Sequence, residues 1–386
     1  MKDDLFLSLY LHIPFCEVKC GYCDFFSIPR GYEDFNLQKE YAEALIREIE
    51  TRAPEFEGRP IRSIFFGGGT PSLLDPVLLE RILGALKKYF SWTPEVELTL
   101  ESNPKTVSLE KLKQFKDLGI NRLSIGVQSF KDKFLKTLGR IHTGHEARLT
   151  VDHARKAGFE NISIDLIYAL PGQTFEEWKE DLEEAISLQT PHLSAYHLII
   201  EEKTPFASLY KEGRLKLPLE EEGIQCLEWT RERLGQARLE PYEISNFSHQ
   251  GRESIHNQNY WQYGDYLGLG TAAASFIRGG QKDAFGVRRT NVRNLTSYLE
   301  GKWEGFSENI SHAMAMGEYC MLALRTREGM SEKKFQSLFG QSLSQTYDVQ
   351  LKRWLEKGWL NKFSDTFSLT PSGILFADEV AVSFLS

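Results

Sequence analysis

The first two hundred residues alternate between short apolar runs rich in β-branched side chains and longer stretches whose apolar positions recur every three or four residues. Runs of the first kind, bounded by turn residues, predict buried strands, and the 3.6-residue recurrence predicts amphipathic helices. Strands are expected at 7–13, 61–66, 95–101, 122–127, 161–168 and 192–200. Helices are expected at 33–52, 76–89, 109–118, 131–138, 146–157 and 175–188. Gly119 and Gly158 stand just past two of these helices, where a left-handed cap belongs. Six strand–helix units in succession predict an α/β fold with a parallel sheet. A partial (β/α)6 barrel and an open doubly wound sheet both satisfy that pattern.

The pattern changes near Leu217. An acidic amphipathic helix is expected at 220–234. It is followed by an irregular aromatic and polar stretch containing Tyr242-Glu243-Ile244-Ser245-Asn246-Phe247 and His256-Asn257-Gln258-Asn259-Tyr260-Trp261. That stretch is too irregular to predict a plain helix. From Met314 onward, helices at 314–324, 332–339 and 344–357 precede a short hairpin and a last capped helix, the outline of a winged helix. Such modules bind DNA or dock proteins. Three bodies follow: 1–215, 216–305 and 306–386.

Polar residues single out the C-terminal ends of the predicted strands. The first strand runs into Cys16, Cys20 and Cys23, spaced C-x3-C-x2-C, and the second into Gly67-Gly68-Gly69-Thr70-Pro71. The third ends in Glu101-Ser102-Asn103-Pro104, the fourth in Gly126-Val127-Gln128-Ser129, and the fifth carries Asp165. A (β/α) barrel gathers its chemistry on that one rim. Each residue has a plainer reading. The glycines would serve a tight turn, Glu101 and Asp165 would cap loops or pair with arginine, Gln128 would satisfy backbone, and Arg140 would be a surface charge. Their common placement favours a site.

Three thiols within eight residues suit a metal cluster. Iron–sulfur clusters are held by thiolates, usually four, so three leave one iron open. A zinc site would call for a fourth ligand at matching spacing, and the remaining cysteines, Cys226 and Cys320, are far off in sequence. Five cysteines, three of them clustered, fit a reducing compartment rather than a disulfide framework. A net charge of −8 gives no footprint for a nucleic-acid backbone. No run approaches the roughly 20 apolar residues of a membrane span, and the first residues do not read as a signal peptide. A cytoplasmic location is expected. His256, among Asn, Tyr and Trp, reads either as a core histidine or as an axial ligand to haem.

The C-x3-C-x2-C motif resembles the signature of the radical S-adenosylmethionine superfamily. Tyr10-Leu11-His12-Ile13-Pro14-Phe15-Cys16, Gly67 to Pro71, Gly126 to Phe130, and Asp165 to Gln173 resemble one branch of it. That branch contains oxygen-independent coproporphyrinogen III dehydrogenase and the HemW-type haem chaperones. The resemblance implies a partial (β/α)6 barrel with a [4Fe–4S] cluster on Cys16, Cys20 and Cys23. It implies Tyr10, Gly68 and Glu101 around one S-adenosylmethionine, and Tyr22, Gly69, Thr70, Gln128, Arg140 and Asp165 at a second position known for the dehydrogenase. Two features separate the alternatives. The dehydrogenase motif continues to a fourth cysteine, where this chain has Phe25. The run His256 to Trp261 resembles the H-N-x-x-Y-W motif of the chaperones, whose histidine is the proposed haem ligand. The resemblance therefore implies a haem chaperone serving an acceptor haemoprotein, such as a membrane respiratory oxidase, without a nucleic-acid partner and as a possible homodimer. The alternative it implies is the dehydrogenase, which decarboxylates the propionates of its substrate.

Overall fold

In the computed structural model, which describes residues 6–279 and 284–385, all six predicted strands lie side by side. They are β1 (Leu7–Ile13), β2 (Ile61–Gly68), β3 (Trp92–Ser102), β4 (Arg122–Gln128), β5 (Asn161–Tyr168) and β6 (His192–His197). Each pairs in parallel with the next. Parallel neighbours require crossover connections, and helices supply them: Phe35–Arg52, Pro76–Tyr89, Leu109–Asp117, Asp132–Leu138 with Gly144–Lys156, and Phe175–Ser187. The helix starts are written locally. Asp34 accepts the backbone N–H groups of Asn36 and Leu37, and Thr143/Glu146 and Thr174/Glu177 form capping boxes. The strands are buried along almost their whole length, as a parallel sheet covered by helices demands.

The segment 216–305, expected as a body of its own, supplies strands to both edges of this sheet. Asn246–Ser248 pairs antiparallel with β6, while Tyr266–Leu269 pairs parallel with β1. Beyond that edge, Ala274–Arg278, Gly286–Asn291 and Glu304–Ile310 continue antiparallel, and among the described residues the sheet has twelve strands. A buried carboxylate clamps the edge. Glu48, on the first helix, accepts hydrogen bonds from Gly270 N (2.8 Å), Asn291 Nδ2 (2.6 Å) and the Tyr298 hydroxyl (2.7 Å). Burial raises its pKa, and these three donors oppose the rise.

The run His256 to Trp261 is helical after all, as Ile255–Trp261. Ser254 caps it, accepting Asn257 N at 3.2 Å, and Glu97 of β3 accepts the N–H groups of Ile255 (3.1 Å) and His256 (3.1 Å). Those tertiary partners make a helix of a sequence whose own propensity is weak. The helix packs on β2, with His256 against Ser63 and Phe65.

The C-terminal part has a second apolar core, shared with Phe276 of the edge strand Ala274–Arg278 and with Tyr263 and Phe285 beside the edge strands. Helices His312–Leu324, Glu332–Phe339 and Asp348–Glu356 are joined by a three-stranded wing of Met330–Ser331, Thr366–Leu369 and Leu360–Phe363. The expected continuous helix 344–357 is broken at Tyr347, which leaves helical geometry (φ −119°, ψ 33°). Its ring is instead buried against Phe335 and Phe384. The apolar surface gained there outweighs one helical residue's preference.

Candidate active site

The cysteine loop leaves the end of β1 and is tied to neighbouring elements by its backbone. Gly21 N donates to Leu138 O (3.3 Å), and Phe206 N donates to Gly21 O (3.0 Å). A Cβ on Gly21 would lie 2.6 Å from the Phe206 ring, so the loop packs closely only with glycine there. Cys16, Cys20 and Cys23 all line one cavity of about 480 Å³ at the strand ends. The same wall holds Tyr22, Gly68, Gly69, Thr70, Glu101, Gln128, Arg140 and Asp165. Tyr10 is not part of it: its hydroxyl pairs with His12 Nδ1 (3.1 Å), whose Nε2 meets Phe26 O (2.8 Å). All five cysteines are free thiols.

The glycines act by close approach. A Cβ on Gly69 would lie 2.5 Å from Phe15 O and 2.7 Å from Pro14 O, so any side chain would push the cysteine loop off its strand. Gly68 has φ 112°, and a Cβ there would strike the His12 ring at 2.5 Å. Gln128 has φ 68°, at a register shift where β4 slips against β5. Such a bulge re-aims a side chain at the cost of backbone strain.

Asn103, which the sequence reading passed over, connects the site. Its Nδ2 donates to Thr70 Oγ1 (2.9 Å), and its Oδ1 accepts from Arg140 Nη2 (2.6 Å). Arg140 also donates to Gly126 O (2.8 Å) and lies 3.6 Å from Cys20 Sγ, while Thr70 Oγ1 lies 3.5 Å from Cys16 Sγ. Two cysteines are thus held through one polar bridge. The Asn103-Pro104 pair closing a strand beside Glu101 was the available signal.

The electrostatics suit a ligand bearing both an amine and hydroxyls. Glu101 accepts Gly68 N at 3.2 Å; burial first, then the charge of Asp165, push its pKa up to about 8. Asp165 is braced by Ser124 Oγ (2.7 Å) and Ser163 Oγ (3.1 Å). Burial raises the Cys16 and Cys23 thiols, so a metal would have to displace their protons. Among the described residues no three metal-binding groups converge on a single ion. Three thiols framing one cavity fit a cluster whose thiolates bind separate irons.

His256 is placed otherwise than expected for a haem ligand. It is 1% exposed, its Nδ1 pairs with Ser63 Oγ (3.0 Å) and its Nε2 with the Tyr260 hydroxyl (2.8 Å). Its ring stacks on Phe65, and it is not part of the cysteine cavity. Both ring nitrogens have partners inside the protein.

A family model described as the radical SAM superfamily matches residues 10–185, and one described as the HemN C-terminal domain matches 310–376. The heme chaperone HemW of Bacillus subtilis is 36% identical over 98% of this chain and 99% of its own. The chain belongs to the HemW family. The Escherichia coli HemW is 32% identical, covering 98% of both chains. The structure of coproporphyrinogen III oxidase (HemN) from Escherichia coli, a radical SAM enzyme, superposes with a TM-score of 0.83 over 99% of this chain and 90% of that one. At 24% identity that likeness establishes the fold, and with it the α/β architecture and mostly parallel sheet expected of the superfamily. Radical SAM membership carries S-adenosylmethionine and an iron–sulfur cluster with it. Among the described residues no helix is long and apolar enough to cross a membrane.

Proposed function

We propose that this chain binds haem and passes it to an acceptor haemoprotein, with a [4Fe–4S] cluster on Cys16, Cys20 and Cys23 and S-adenosylmethionine in the adjoining cavity. The observation that carries the reading is full-length similarity to heme chaperones, joined to one cavity that holds the three thiols with Glu101, Gln128, Arg140 and Asp165. A cluster of this type supplies single electrons and, at its open iron, a point of chelation for an amino acid. Gly68 and Gly69 leave room for that end of the ligand, and Glu101 and Asp165 suit its hydroxyls. Arg140 sets positive charge beside Cys20.

Phe25 is 64% exposed at the mouth of the cavity, where the dehydrogenase motif has its fourth cysteine. An acceptor in the cytoplasm or at a membrane face, and homodimerisation around the site, complete the reading. Titration of the purified chain with haem tests it: a saturable Soret band and transfer of that band to an acceptor apoprotein are expected. Formation of protoporphyrinogen from coproporphyrinogen III by the cluster-loaded protein would overturn it.

A further inference from the structure

The turn Gly139-Arg140-Ile141-His142 lies against the cysteine loop: a Cβ on Gly139 would stand 3.8 Å from Cys20 Cα. Helix Asp132–Leu138 ends at Gly139, which takes the left-handed cap (φ 77°). Arg140 N donates to Leu135 O (2.8 Å) and Gly21 N to Leu138 O (3.3 Å), so the turn is tied both to its helix and to the loop that carries Cys20. Just beyond it, Gly144 N donates to Asp132 Oδ1 (2.9 Å). His142 is held between these ties and is 4% exposed.

The two ring nitrogens of His142 have different roles. Nε2 lies 3.1 Å from Val127 O. A carbonyl oxygen only accepts, so Nε2 carries the proton and Nδ1 presents a lone pair. Burial first, then the charge of Arg140, lowers the imidazole pKa to about 4, so the ring is neutral near pH 7. Nδ1 is buried and has no partner among the described residues. A buried acceptor in that position is costly and calls for a donor.

The ring borders a cavity of about 20 Å³, whose wall also holds Cys16, Glu17, Cys20 and Arg140. One water needs roughly 10–15 Å³ and about three polar partners. His142, Glu17 and Arg140 supply them. Glu17 Oε1 accepts the Tyr32 hydroxyl (3.4 Å), while Oε2 is buried without a partner among the described residues. Arg140 Nη2 serves Asn103 and Gly126, and Nη1 lies 3.6 Å from Cys20 Sγ; a guanidinium has N–H groups to spare beyond these.

We propose that this cavity holds one ordered water, which accepts from Arg140 and donates to His142 Nδ1 and Glu17 Oε2, and that His142 is thereby a positioning residue for the guanidinium on Cys20. A metal ion does not suit the place: Arg140 would repel it, and among the described residues no three metal-binding groups converge. The reduction potential of an iron–sulfur cluster is set in part by hydrogen bonds to its sulfurs and by nearby charge. Groups one step removed from the ligands fix the orientation of those that touch them. Held by the water as well as by Asn103 and Gly126, Arg140 keeps Nη1 directed at Cys20. Without the water it is freer to turn into the large cysteine cavity, whose wall it also forms, and the cluster becomes harder to reduce.

This inference rests on the cluster seated on Cys16, Cys20 and Cys23, and two variants test it apart from that reading. Glutamine keeps a donor near the place of Nε2 and offers no acceptor at the place of Nδ1. Asparagine does the reverse: its carbonyl oxygen takes the place of Nδ1, and the bond to Val127 is lost. The cluster-loaded full chain is crystallised, and its cluster is titrated by spectroelectrochemistry. Wild type is expected to show one water within about 3.2 Å of His142 Nδ1. His142→Gln should lose that water, and at a fixed potential its ratio of reduced to oxidised cluster should fall about tenfold. His142→Asn should keep the water and a ratio within about twofold of wild type. A wild-type cluster with no water at Nδ1 would overturn the site. An unchanged ratio in His142→Gln, or a larger fall in His142→Asn than in His142→Gln, would overturn the positioning role and leave only the tie to Val127. A wild type that takes up no cluster overturns the cluster reading and this inference together.

Discussion

Replacing His256 by glutamine should flatten the acid side of the protein's stability curve. The imidazole is fully enclosed, and burial, with Arg122 nearby, lowers its pKa to about 3. A histidine held neutral in the fold contributes stability above its unfolded pKa of about 6.5, and loses it as pH falls toward the folded value. Between pH 8 and pH 5 the unfolded chain takes up this proton while the folded chain does not. The integrated difference is about 2 kcal/mol, and it approaches about 5 kcal/mol as the pH nears 3. Urea unfolding of the cluster-free protein at pH 8, 7, 6 and 5, with wild type and His256→Gln in parallel, isolates this residue from the other buried histidines. The variant should be less stable at pH 8 by about 1–3 kcal/mol, because Ser63 and Tyr260 lose a well-fitted partner. The gap should close by about 2 kcal/mol at pH 5. A gap independent of pH would refute the reasoning, since it would mean that the ring protonates as easily folded as unfolded.

Three further outcomes follow from the site. Gly69→Ala should abolish reconstitution of the cluster, read as bound iron and sulfide, because its Cβ meets backbone oxygens that cannot give way. Asn103→Ala cuts the bridge from Thr70 to Arg140; it should cost about 1–3 kcal/mol, seen as a lower thermal midpoint, and weaken S-adenosylmethionine binding. Glu101 has its folded pKa raised to about 8, so stability present below pH 4.5 is lost as pH rises through 8; Glu101→Gln should remove that alkaline loss in the ligand-free protein, measured by urea midpoints from pH 5 to 9.

The barrel was legible because its strands are buried on both faces and its helices carry their own caps. Composition and period then agree, as they do for β1 and β5, whose limits match residue for residue. Leu198 to Ile200 looked like more strand but lie past the end of β6. The cysteine cavity was legible because a barrel rim collects strand ends, so adjacency could be argued without coordinates. Asn103 was missed because its value lies in two partners 33 and 37 residues away. Helix Ile255–Trp261 was missed for a similar reason: Glu97, on β3, holds its first turn. For His256 the core reading and the ligand reading could not be told apart, because sequence shows which atoms a residue offers and not that Ser63 and Tyr260 pair with them. The edge strands of 216–305 escaped because pairing at both borders of one sheet leaves no periodic trace.

The pairing of β1 with Tyr266–Leu269 has a consequence for how the protein is made. Ser8 finds its partner Tyr266 roughly 260 residues later in the chain. At synthesis rates of about 5–20 residues per second, β1 emerges roughly 13–50 s before that strand can cover its outer edge. For that interval the nascent barrel has an open border next to the cysteine loop, and open borders invite pairing with other chains. Loading a cluster onto Cys16, Cys20 and Cys23 during this window would involve a half-built sheet. Slowing translation between Ile200 and Tyr266 should therefore raise both aggregation and the yield of metal-loaded chains.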